Sequence, residues 1–254
     1  MNNIDKITIK RYKFRSKNVP EQFCGVRIVF LADIHHGRFF GTEKLRGLIE
    51  MANQMEPDII LLGGDYVDRN ADRIWSFFDE AQALSAPMGV YGVLGNHDRW
   101  TDGALSEQCM EEAGITLLDN RAVWVELDGV RIRIGGVGDL TTSTQDILPM
   151  LSGTDADDLL ILVTHHPNYA LHLPKDKIDL MLCGHTHGGQ VSYRGKWTPH
   201  FATQTEYDRK YLTGVVREGS TTMIISNGIG TVGPPIRICA APQIWEITLD
   251  NFEE

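Results

Sequence analysis

Cysteine is scarce in this chain: Cys24, Cys109, Cys183 and Cys239 stand far apart, and no two of them form a C-x-x-C pair. That excludes a thiolate-bound zinc or iron–sulfur cluster and predicts the unpaired thiols of a reducing compartment. Long hydrophobic runs are lacking as well. The longest nearly uncharged stretches, residues 28–32 and 159–163, are roughly a quarter of the length that crosses a bilayer. The opening Met1-Asn2-Asn3-Ile4-Asp5-Lys6 has no cationic patch followed by an apolar one, so the expected compartment is the cytoplasm. Positive charge is in deficit, 24 Lys plus Arg against 34 Asp plus Glu for a net charge of -10. A protein that works by wrapping a nucleic-acid backbone is thereby excluded.

What is present is ordinary globular material: 254 residues, 42% hydrophobic and 23% charged, enough for one large core and read as a single domain over residues 1–254. Charge is uneven, however. Residues 1–17 carry Lys6, Lys10, Arg11, Lys13, Arg15 and Lys17 against one acid. One reading is an edge strand with Ile7, Ile9, Tyr12 and Phe14 packed inward and lysines guarding the edge. The other is a contact with an acidic substrate or with anionic lipid at the inner membrane face.

Along the chain, short apolar runs alternate with helical stretches. Strands are expected over 26–32, 58–62 and 90–94, with helices over 42–55 (Thr42 as cap), 73–84 and 103–113. This is the β-α-β pattern of an α/β protein. A hairpin follows, 122–127 and 131–137 about the turn Asp128-Gly129. Further strands are expected over 159–164, 178–183, 221–226 and 244–249, with a short helix over 169–173.

Chemistry collects at the strand ends. Successive strands run into Asp33-x-His35, Gly64-Asp65, Gly95-Asn96-His97-Asp98, His165-His166 and Gly184-His185-x-His187. Carboxyl ends of strands are where α/β sheets bind ligands, because loops there bring side chains from several strands to one point. The i, i+2 spacing of Asp33/His35 and of His185/His187 lets each pair face one ion. Any one such residue is ordinarily a turn cap or a satisfied polar group, but seven on five strand ends exceed what capping needs. Seven imidazole, carboxylate and amide donors outnumber one tetrahedral site, so two ions are implied. Without thiolate, the set suits manganese, with iron or zinc as alternatives.

Two motifs do not qualify. Gly228-x-Gly230-x-x-Gly233 has dinucleotide-binding spacing, yet Pro234-Pro235 prevents the helix that would receive a pyrophosphate. Asp155, Asp157 and Asp158 resemble a calcium loop, but Leu159 and Leu160 stand where an oxygen ligand and glycine belong.

Taken in order, Asp33-x-His35, Gly64-Asp65-x-x-Asp68, Gly95-Asn96-His97-Asp98, Thr164-His165 and Gly184-His185-Thr186-His187 resemble the motif set of the calcineurin-like metallophosphoesterases. The longer strings Gly184–Gln190, Gly228–Thr231 and Pro235-Ile236-Arg237 resemble the bacterial phosphodiesterase branch typified by YaeI and YkuE. The resemblance implies a four-layer α/β/β/α sandwich. It implies Asp33, His35, Asp65 and His187 on one divalent metal and Asp65, Asn96, His165 and His185 on the other, with Asp65 bridging. It further implies a metal-bridging hydroxide as nucleophile and His97 as general acid, oriented by Asp98 accepting its other N–H. Asp68-Arg69 is similar to the Gly-Asp-x-x-Asp-Arg of protein Ser/Thr phosphatases, where the arginine grips phosphate, so Arg69 is a candidate substrate contact. His36, Tyr66 and Trp100 adjoin the motifs and either line the cleft or pack beside it. Arg237 is read as a structural anchor.

The expected activity is phosphodiester hydrolysis of a small-molecule or lipid-linked phosphoester, with no obligate nucleic-acid partner. The alternatives are a UDP-2,3-diacylglucosamine pyrophosphohydrolase of lipid A synthesis, which requires an apolar groove, and an inactive phosphoesterase-fold scaffold, which requires lost ligands.

Overall fold

A computed structural model describes residues 7–192 and 209–252. Its strands in chain order are β1 (Thr8–Arg15), β2 (Arg27–Leu31), β3 (Ile59–Leu62), β4 (Val90–Gly92), β5 (Thr116–Leu117), β6 (Arg121–Leu127), β7 (Val130–Gly136), β8 (Leu160–Val163), β9 (Leu180–Cys183), β10 (Gly214–Glu218), β11 (Thr221–Ile225) and β12 (Gln243–Asp250). The helices are α1 (Thr42–Gln54), α2 (Asp72–Ala81), α3 (Asn96–Glu112) and the single turn α4 (Leu148–Leu151). Two six-stranded sheets result, ordered β1-β12-β2-β3-β4-β5 and β10-β11-β9-β8-β7-β6.

The apolar strands β2, β3, β8 and β9 are buried on both faces, as parallel strands between layers must be. Side chains alternate between two cores. From the first sheet Ile28, Phe30, Ile59 and Leu61 meet Ile161, Val163, Leu180 and Leu182 of the second. Their neighbours Val29, Leu31, Ile60 and Leu62 point the other way, onto Leu45, Leu48 and Ile49 of α1 and Ile74, Phe77 and Phe78 of α2. Leu162, Met181, Cys183 and Met223 form the outer face of the second sheet, covered by Met150 of α4 and by Tyr169 and Ala170 of a 3-10 turn. This is the four-layer sandwich, with a thin fourth layer.

Several local expectations are corrected. Thr42 opens α1 but does not cap it; Gly41 precedes the helix in extended conformation, and no side chain caps its end. Helix α3 begins at Asn96, at the candidate site itself, and Asp102 (φ -168, ψ 95) breaks it where a helix from 103 was expected. The two-residue β5 and the half-exposed β10 were not expected at all. In β1, Tyr12 and Phe14 enter the intersheet core, while Ile7, just before the strand, joins the helix-side core, so the apolar residues of this segment serve both faces.

Strand β1 is an edge strand, and its cations face acids of β12: Arg11 with Glu246 at 3.3 Å, Lys13 with Asp250 at 2.9 Å, and Arg15 with Asp250 at 3.0 Å. Such exposed pairs contribute little to stability, and they match the edge-guarding reading. All four cysteines are free. Among the described residues, no helix is long and apolar enough to cross a membrane.

Candidate metal centre

The parallel strands of both sheets end on one side of the sandwich. β2 delivers Asp33 and His35, β3 delivers Asp65, and β4 leads into Asn96 at the first position of α3, while β8 and β9 deliver His165 and His185/His187. The loops that carry them are tightly wound. Asp33 (φ 51), His35 (φ 47), Asp65 (φ 55), His185 (φ 68) and His187 (φ 51) all adopt left-handed backbone, a conformation that L-residues bearing side chains rarely hold outside functional sites. A Cβ on Gly95 would collide with the Asp65 carboxylate, and one on Gly184 with that of Asp33. Gly95 and Gly184 therefore leave the space into which the Asp65 and Asp33 carboxylates are set.

The donors form two sets. In one, His35 Nε2 lies 3.1 Å from His187 Nε2 and 3.5 Å from Asp65 Oδ2, and His187 Nε2 lies 3.7 Å from Asp33 Oδ1. In the other, His165 Nε2 lies 3.4 Å from Asp65 Oδ2 and 3.1 Å from Asn96 Oδ1, and His185 Nδ1 lies 3.0 Å from Asn96 Oδ1 and 3.2 Å from His165 Nε2. Asp65 Oδ2 belongs to both. Ligands about 2.1 Å from a common ion stand about 3.0–3.4 Å from one another, so these separations fit two cation cradles sharing a carboxylate. One correction follows. Asp33 and His35 share a set, but His185 and His187 divide between the two, so the i, i+2 spacing there spans the pair of cradles.

Electrostatics agrees with that fit. Asp33 and Asp65 are 0% and 2% exposed, and among the described residues only histidines approach them within ion-pair range. Burial, helped by the charge of Asp65, pushes the Asp33 carboxyl up to about 7. Burial drives His35 down to about 4 and His185 and His187 well below the usual histidine range, which leaves them as neutral imidazoles able to bind cations. Asp65 and His165 are the exception. Burial opposes charge on both, yet their mutual attraction holds Asp65 well below the carboxylate range and His165 well above the histidine range.

The neighbouring residues separate into distinct roles. His97 is 5% exposed, and its ring meets those of His35 at 4.7 Å and Trp100 at 5.2 Å. Its Nδ1 is buried without a partner among the described residues. Asp98 does not orient it. The Asp98 carboxylate instead accepts the backbone N–H groups of Gly95, Asp65, Tyr66 and Val67, because the first turn of α3 aims it at the loop after β3. Tyr66 is fully buried, its hydroxyl donating to Val93 O at 2.6 Å, and does not line a cleft. His36 is likewise buried, held by Phe40 O at 2.9 Å and Ser76 Oγ at 2.6 Å. Trp100 is 49% exposed, with the Arg69 guanidinium 5.4 Å above its ring, so these two form an open rim beside His97.

Two residues carry more than the sequence pattern showed. Arg237 reaches the site, its Nη2 3.1 Å from His187 Nδ1 and its Nε donating to Gly230 O at 3.0 Å. Asp139 follows β7 as another strand-end carboxylate. It is fully buried, accepts from Thr141 and Thr142, and among the described residues keeps Oδ1 without a partner. The Gly138-Asp139 pair after a buried strand was the available signal.

Residues 26–189 match the sequence model of the calcineurin-like phosphoesterases. The chain belongs to that family. This calcineurin-like metallophosphoesterase is 32% identical to an uncharacterized metallophosphoesterase, YkuE of Bacillus subtilis (strain 168), over 96% of its own length and 86% of the relative's. It is 29% identical to phosphodiesterase YaeI of Escherichia coli (strain K12), over 88% and 82% of the respective chains. Among solved structures it superposes on Haemophilus influenzae NAD nucleotidase with a TM-score of 0.53 at 13% identity, covering 80% of this chain and 45% of that one. That likeness concerns the fold, and the phosphoesterase chain spans under half of the nucleotidase. As a family member it is a divalent-metal-dependent hydrolase of phosphoesters.

Proposed function

We propose that this metallophosphoesterase, acting as one domain, hydrolyses a phosphodiester using two divalent cations, one held by Asp33, His35, Asp65 and His187 and the other by Asp65, Asn96, His165 and His185. The observation that carries the reading is the sharing of Asp65 Oδ2 between the two donor sets, at 3.5 Å from His35 and 3.4 Å from His165. Bound there, paired divalent ions lower the pKa of water and neutralise charge developing on a phosphoryl group. Manganese is the favoured occupant, with iron or zinc as alternatives, since imidazole, carboxylate and amide donors suit all three.

The protein's own groups supply the rest. His97, beside His35 and under the rim of Trp100, is placed to give a proton to the departing oxygen. Burial, with Arg69 also opposing, holds its pKa below the usual histidine value, while Asp65 pulls the other way. An arriving phosphoester anion favours the protonated ring and prepares it to donate. Arg69 on Trp100 offers a cation to a phosphoryl oxygen.

The test is hydrolysis of bis-p-nitrophenyl phosphate beside p-nitrophenyl phosphate by chelated protein reloaded with manganese, comparing wild type with Asp65→Asn. The reading expects manganese-restored diester cleavage that exceeds monoester cleavage and disappears in the variant. A reloaded wild type inert toward both esters, or equal activity in Asp65→Asn, overturns it.

A further inference from the structure

We infer that a cleft opening from His35 takes an apolar arm of the substrate, a straight alkyl or acyl chain attached to the phosphoester; this rests on the phosphodiesterase reading above. The cleft has a volume of about 540 Å³, and His35 and Asp68 form its end at the site. That size is typical of small-molecule sites. Away from His35 the walls are Ile7, Phe39, Phe40, Ile229, Pro235 and Ile236. Phe39 is 39% exposed and Ile236 52% exposed, so large apolar side chains face open space beside the most polar cluster in the molecule.

Folding of the core does not call for this arrangement, and the walls are built rather than loose. The first wall turns immediately after His35: Gly37 N–H donates to Phe40 O at 3.0 Å and Lys44 Nζ to Phe39 O at 2.7 Å. The second wall hangs on the His187 loop. Gln190 Nε2 donates to Val232 O at 2.8 Å while its Oε1 accepts Val232 N–H at 2.9 Å, and Ile238 N–H donates to Gln190 O at 2.9 Å. Gly230 N–H donates to Asp33 O at 2.7 Å, which joins this wall to the first ligand loop. Both walls are thus fixed to the loops that carry metal-ligand candidates, and a group bound between them has a defined position relative to the reacting phosphorus. The cations at the cleft are already engaged, Lys44 with Phe39 O and Arg237 with Gly230 O and Ala240 O. Methylenes laid along the cleft find aromatic, isoleucine and proline surface.

Transfer of one methylene from water to an apolar wall favours binding by about fourfold, so a chain of six carbons with partial contact exceeds a methyl group by an order of magnitude. The experiment compares methyl p-nitrophenyl phosphate with hexyl p-nitrophenyl phosphate, both as monomers, on manganese-loaded wild type, Ile236→Asp and Phe39→Asp. The readout is the hexyl-to-methyl ratio of kcat/KM. We expect a ratio above about ten in wild type that falls toward one in both variants. A ratio near one in wild type, or a high ratio that survives both substitutions, overturns the proposal. Should neither ester be cleaved, the phosphodiesterase reading fails and calorimetric binding of hexylphosphonate against methylphosphonate decides the cleft. Tighter hexyl binding that Ile236→Asp abolishes supports it, and equal binding refutes it.

Discussion

The carboxylate of Asp98 accepts the backbone N–H of Asp65 at 2.8 Å, and with the N–H groups of Tyr66, Val67 and Gly95 it fastens the loop after β3 to the start of α3. This one side chain sets the backbone on which the shared ligand candidate and Asn96 stand. Asp98→Ala leaves four buried donors without an acceptor, each costing about 1–3 kcal/mol, so urea unfolding should register a loss of about 3 kcal/mol or more. Asp98→Asn keeps one acceptor oxygen but turns an amide toward N–H groups. It should weaken metal binding by about 10–100-fold in a chelator competition. A variant with unchanged stability and metal affinity would show that the loop does not depend on this carboxylate.

Asp33 links metal binding to pH. Burial first, and the charge of Asp65 second, raise its pKa to about 7 in the metal-free protein, against 3.8 for an ordinary Asp. A raised acid pKa means that the folded state binds the proton more tightly than the unfolded chain. The stabilisation is therefore full below pH 3.8 and is lost as pH rises through 7. A divalent cation reverses this by favouring the carboxylate. The manganese-induced rise in unfolding midpoint should grow between pH 5 and 7, and Asp33→Asn should lessen that growth, the remainder coming from the proton that His165 must lose. A metal-induced shift independent of pH over this interval would contradict the assignment.

Strand ends made the site readable before any coordinates. The apolar runs 28–32, 59–62, 159–163 and 180–183 are buried on both faces, so they declare themselves without periodicity, and the polar residues that follow them are conspicuous. Side-chain direction was not readable. Asp98 follows His97 in sequence and looked like its partner, but the first turn of α3 aims the two residues differently. Tyr66 adjoins Asp65 and yet points into the Phe77 and Phe78 cluster. The cleft was equally invisible, since its walls are separated by almost two hundred residues and meet only through hydrogen bonds such as Gly230 to Asp33.

His36 shows how the loop after β2 is held. Its Nδ1 lies 2.9 Å from Phe40 O, so that nitrogen carries the proton, and its Nε2 accepts from the Ser76 hydroxyl at 2.6 Å. Burial first, with Arg73 adding repulsion, lowers its pKa below the ordinary 6.5. A histidine with a lowered pKa stabilises the fold above its unfolded value and ceases to as pH falls. The wild type should therefore lose stability as pH drops below 6.5, and His36→Ala should be less stable by about 2 kcal/mol with a flatter profile on that limb. Equal slopes in the two proteins would assign the acid sensitivity elsewhere.

His97 differs from every ligand candidate in what its loss should do. A general acid acts only on departing oxygens that need a proton, so His97→Asn should slow release of an alkoxide by about 10²–10⁴-fold, while p-nitrophenolate, which departs as a stable anion, should lose far less. A metal ligand would depress both reactions alike and lower the metal content. If His97 is the general acid, its protonated form is the active one, and kcat/KM for the alkyl ester should fall as pH rises through its pKa. That pKa is lowered by burial and by Arg69, and nearby divalent cations lower it further, which puts the falling limb below 6.5 in the free enzyme. Bound phosphoester favours the protonated ring, so the corresponding limb in kcat should lie at higher pH. Loss of the limb in His97→Asn at full metal content, with p-nitrophenyl ester turnover largely retained, identifies the proton donor. Equal losses for the two leaving groups would place His97 among the groups that hold the site together.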